Sequence, residues 1–63
     1  MKQVFFAEPS RDIAPELKRY DVVRYNANEG KFQPTAYKHL LQKDAEEKAH
    51  ELNVEYNQSP EAL

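Results

Sequence analysis

The chain reads as a small α+β domain: a three-stranded sheet in β-α-β-β-α order, with a long C-terminal amphipathic helix. Three stretches predict it. The apolar run Val4-Phe5-Phe6-Ala7 is stopped by Pro9. Two extended segments, DVVRYN and KFQ, flank the sole glycine, Gly30. The stretch from Thr35 to Ser59 has neither glycine nor proline.

Taken in order, KQVFFA is a short strand, and its consecutive large apolar residues suit a strand covered on both faces. In SRDIAPELKRY, Ser10 or Asp12 can cap a helix of about two turns, with Pro15 tolerated only in the first turn. Ile13, Leu17 and Tyr20 share one face of that helix. Val22, Val23 and Tyr25 favour an extended second strand. ANEG is a turn signal, because Gly30 accepts the left-handed conformation that closes a hairpin loop. KFQ returns antiparallel, and Pro34 ends it for lack of an amide donor.

Thr35 can cap the last helix through its hydroxyl. Along this helix Tyr37, Leu41, Leu52, Ala45, Tyr56 and Ala49 fall within about 120° of arc, with Leu40 nearby, forming one apolar stripe. Ala45 and Ala49 sit mid-stripe, so a partner backbone can approach closely there. Lys43 with Glu47 and Asp44 with Lys48 are spaced for pairing along the helix. A right-handed crossover makes the first two strands parallel neighbours, with the third antiparallel at the edge. The alternative is a meander whose N-terminal helix shrinks to a loop. Residues 1–57 form one domain and 58–63 a loose tail.

Composition narrows the functions. Sixty-three residues make a thin core, burying only about 60% of what the unfolded chain exposes. With no cysteine, disulfides, thiolate metal sites and cysteine nucleophiles are all removed. Val4–Ala7 is too short for a signal peptide, and a membrane span needs about 20 apolar residues. The expected setting is cytoplasmic, with no membrane contact. One glycine cannot build a phosphate-cradling loop. Ser10 and Ser59 have no histidine in recognisable triad order. His39 and His50 lie on one side of the expected helix but about 16 Å apart along its axis, too far to share a metal. Glu47, Glu51 and Glu55 line a solvated face. The chain is expected not to be an enzyme, and to use neither cofactor nor metal.

Two functional readings remain. Residues 1–43 carry eight Lys/Arg against five Asp/Glu, whereas 44–63 carry Lys48 alone against six acids, for a net charge of −2 overall. That split can orient a partner or stack copies head to tail. In the first reading the chain is an interaction or regulatory protein that forms a homo-oligomer or takes a protein partner. Its contact is the helix stripe Tyr37, Leu41, Ala45, Ala49, Leu52, Val54 and Tyr56. The nineteen steps from Tyr37 to Tyr56 reach about 29 Å, against a sheet only about 14 Å across, so the outer end is expected to stay bare. The acidic second half can also select a basic protein surface. In the second reading the chain binds single-stranded nucleic acid through Arg19, Arg24, Tyr25, Lys31, Phe32 and Lys38. Neighbours on a strand point to opposite faces, so Arg24 and Tyr25 separate, as do Lys31 and Phe32. That favours rings in the core with charges outside, and ranks the first reading higher.

Overall fold

A computed structural model describes residues 1–59 as a three-stranded antiparallel sheet and one C-terminal helix, an α+β fold. The elements are β1 (Phe5–Pro9), β2 (Tyr20–Asn26), β3 (Lys31–Pro34) and α1 (Gln42–Gln58). The expected tail reduces within the described residues to Gln58, which ends α1, and Ser59; residues 60–63 lie outside them.

The sheet is the meander, in order β1-β2-β3, not the parallel crossover. The reason is the connection. A parallel return needs about a dozen residues or more, most often a helix. Here the chain between Pro9 and Tyr20 carries only one 3₁₀ turn, Pro15–Leu17, in place of the two-turn helix. The two expected caps are engaged elsewhere: the Ser10 hydroxyl donates to Asp21, and Asp12 meets His39. Lys18 turns left-handed (φ 51°) and redirects the chain into β2. The hairpin forms as expected, with Gly30 at φ 67° and its N–H donating to the Asn26 carbonyl.

The helix begins seven residues later than Thr35. The Thr35 hydroxyl donates to the Val22 carbonyl and accepts from the Tyr37 N–H, so it serves a turn and caps nothing. From there the chain runs beside β2, bending at Ala36 and again at left-handed His39. Val22 N–H donates to the Tyr37 carbonyl, and Tyr20 and Leu40 exchange bonds of 2.7 and 2.8 Å. Three backbone bonds to a central strand outcompete early helix nucleation, which fixes several residues for its first bond. Tyr37 and Leu41 therefore precede α1, and the 17-residue helix is about 25 Å long.

Alternation sorts the sheet into two faces. Ala7 with Val22, and Phe5 with Arg24, lie on the face that α1 covers. Fully buried Val22 and Ala45, with Ala49, form the core there, joined by half-buried Phe5, Ala7, Tyr20, Leu40 and Leu52. The alanines let the helix sit close. Phe6, Val23, Tyr25, Phe32 and Pro34 occupy the opposite face. The expected inside and outside are thus exchanged: Tyr25 and Phe32 lie outside, while Arg24 lies on the helix side. Nor is β1 covered on both faces, since Phe6 is exposed. Three strands and one helix hold only enough chain for a single covered layer.

Candidate functional site

The outward face of the sheet holds the main exposed apolar cluster. Phe6, Tyr25 and Phe32 are 36%, 39% and 53% exposed. They nevertheless touch one another, with Phe32 at the centre. Its ring centroid is 5.8 Å from Phe6 and 5.1 Å from Tyr25, both edge-on. Such pairs add about 0.5–1.5 kcal/mol beyond their burial, so the rings hold each other in place while open to solvent. Val23 is buried among them, opposite Phe6 on one side and Pro34 on the other.

One end of this face is charged. A shallow groove there is lined by Val23, Phe32 and Pro34 together with Glu8, Arg11, Asp12, Asp21 and Lys38. Arg11 lies 3.7 Å from Glu8, and Lys38 lies 4.0 Å from Asp12. Asp21 accepts from the Ser10 hydroxyl at 2.6 Å and from the His39 N–H at 2.9 Å. His39, left-handed at φ 58°, brings its ring Nε2 to 2.9 Å from Asp12. Ser10, Asp21 and His39 thus cluster without a relay, because the serine hydroxyl faces a carboxylate and not the imidazole. Among the described residues, no three His, Cys, Asp or Glu side chains converge as a metal site.

The hydrogen bond from His39, with the charges of His39 and Lys38 adding, holds the Asp12 carboxyl below its ordinary value of 3.8. A carboxylate lowered in the folded state adds stability above the unfolded value, and the gain fades as pH falls through the folded one. Urea midpoints of wild type and Asp12→Asn should therefore differ at neutral pH and converge as pH falls below the ordinary carboxylate range. A constant offset across that range would show that the carboxylate's charge contributes nothing.

The sequence-predicted cations do not gather around the exposed rings. Arg24 sits on the helix side, 5.9 Å from the Phe5 ring and 6.0 Å from that of Tyr56. Lys31 pairs with Asn26 on that same side. Arg19 donates to the Leu17 carbonyl, and Lys38 is held at Asp12. The helix stripe is dispersed as well. Ala45 and Ala49 are covered by the sheet of their own molecule; Leu52, Val54 and Tyr56 are half-buried. Leu41, just before the helix, is exposed. Tyr37 lies off the helix beneath Lys48, whose ammonium is 5.0 Å from its ring and 3.3 Å from Glu51. Of the expected pairs, Asp44–Lys48 gives way to this one, and Lys43 and Glu47 do not come within ion-pair distance. His50 is exposed on α1, and His39 is not on the helix.

Two asparagines, Asn53 and Asn57, tie the outer end of the helix to the residues before β1, leaving that end half-buried and not bare. Asn53 Oδ1 accepts from the Val4 and Phe5 N–H groups at 2.8 Å each, and its Nδ2 donates to the Phe5 carbonyl at 2.9 Å. One turn on, Asn57 bonds the Lys2 N–H and carbonyl at 3.0 and 2.8 Å. Each side-chain amide pairs with the backbone as a neighbouring strand would. The residues before β1 are thereby laid along α1. The available signal was two asparagines four apart inside a helix, where asparagine competes with the backbone and is disfavoured.

These amides also close an edge of the sheet. The Val4 carbonyl accepts from Tyr25, so the polar groups of Phe5, Ala7 and Pro9 alternate outward. Asn53 occupies those of Phe5, and Pro9 has no N–H. On β3 the outward positions are Phe32 and Pro34, and Pro34 likewise has no N–H. Neither edge offers a run of donors to an added strand. No helix among the described residues is long and apolar enough to cross a membrane. Compared with protein-family models, curated proteins and solved structures, the chain matches none.

Proposed function

We propose that this chain is a non-enzymatic protein–protein interaction or regulatory protein that docks its partner on the aromatic face of the sheet. The observation that carries the reading is the ring cluster Phe6, Tyr25 and Phe32, exposed but mutually ordered on the face away from α1. Ordered aromatics lose little conformational freedom on binding and commonly anchor protein contacts. With both edges blunted, approach is face-on.

Exposed rings on a sheet also favour a second reading, a stacking platform for single-stranded nucleic acid. Charge weighs against it. The cation–ring contacts among the described residues fall on Phe5, Tyr37 and Tyr56, away from this cluster. Beside it stand Glu8, Asp12 and Asp21 against Arg11 and Lys38, a poor setting for phosphates. Fluorescence anisotropy with labelled single-stranded oligonucleotides, at about 50 and 200 mM salt, separates the two. No binding is expected at the lower salt. Binding that weakens steeply at the higher salt and is lost in Phe32→Ser would move the face to nucleic acid.

A further inference from the structure

We infer that the partner is a second copy of this chain, packed sheet to sheet in a closed two-fold dimer with both helices outside. This rests on the reading of the aromatic face as a protein-docking surface. Charge selects the geometry. Residues 44–59, chiefly α1, carry Asp44, Glu46, Glu47, Glu51 and Glu55 against Lys48 alone. A helix-to-helix assembly sets these acids against each other. Sheet-to-sheet packing, with layers about 10 Å apart, separates the two helices by about 30 Å, well beyond the screening length of about 8 Å. On the sheet face itself the cations Arg11 and Lys38 each already lie beside a carboxylate, so a copy meets little net charge.

Size and closure agree with a copy of equal flatness. Three strands, and the seven residues of β2, give a face about 14 by 23 Å. Two such faces present about 640 Å² of flat area together, below the range of stable interfaces, which predicts a weak and reversible dimer. The contact uses the same patch on both copies, and with blunted edges the assembly stops at two.

Sedimentation velocity on the full chain, from about 5 to 500 μM, tests this. Wild type should pass reversibly from monomer to dimer. Phe32→Arg should raise the dissociation constant at least about tenfold, as expected on charging a central anchor, and Glu47→Arg on the helix should leave it within about twofold. Far-UV circular dichroism reports whether each variant is folded, and Tyr25→Lys replaces Phe32→Arg if that one is not. A monomer at every concentration overturns the second copy yet leaves the protein-docking reading, which falls only by the oligonucleotide measurement. A dimer unmoved by the face substitutions, or weakened by Glu47→Arg instead, overturns the assignment of the face.

Discussion

Asn53→Ala is expected to lower unfolding free energy by about 3 kcal/mol, since it strips three hydrogen bonds from largely buried backbone groups, each costing about 1–3 when left unmade. Asn53 is itself buried, 3% exposed, so water cannot easily take its place. The Val4 and Phe5 N–H groups and the Phe5 carbonyl would all lose partners. A domain of this size holds only about 3–9 kcal/mol in all, so the variant should be partly unfolded at ambient temperature. In thermal melts the midpoint should fall by more than about 10 °C. Asn57→Ala, whose bonds to Lys2 are exposed, should cost about 1 kcal/mol. Equal losses for the two variants would mean that burial adds nothing at Asn53.

The second large effect lies at the helix–sheet contact. Ala45→Leu should destabilise by about 1–3 kcal/mol, because three added carbons have no space at a fully buried position. Ala45 packs with Val22, also fully buried, so Val22→Ala should lose stability alone but recover part of the deficit when combined with Ala45→Leu. A double-mutant cycle in urea measures that coupling, expected at about 0.5–3 kcal/mol for residues in contact. An additive cycle would show that the two side chains do not set the spacing. Ala49→Leu should destabilise by a similar amount, about 1–3 kcal/mol. The sequence pattern alone pointed to a partner's backbone at this alanine, whereas the alanine faces the domain's own sheet.

The proposed docking face has its own bearing on the charge split. The acidic helix is on one side of the sheet and the ring cluster is on the other, so the field of the molecule is uneven across its thickness. A partner approaching the rings stays farther from the helix acids than from Glu8, Asp12 and Asp21. In the proposed docking the split would bias encounter more than add contacts.

Local chemistry was sufficient for much of the fold. Proline stops, the Gly30 turn, β-branched Val22-Val23 and the glycine-free C-terminal stretch placed three strands and a helix in the right order, because each signal acts within a few residues. Three long-range features escaped it. The segment from Thr35 to Leu41 reads locally as the start of the helix, yet backbone bonding to β2 keeps it out of one. Asn53 and Asn57 are legible only once the residues before β1 lie beside them. Alternation separated Arg24 from Tyr25 and Lys31 from Phe32, but no local rule says which of two chemically mixed faces the helix will cover. That choice belongs to the packed molecule. Ala45 and Ala49 pack with Val22 and Ala7, and a single helix can cover one side only, so Phe6, Tyr25 and Phe32 remained on the other.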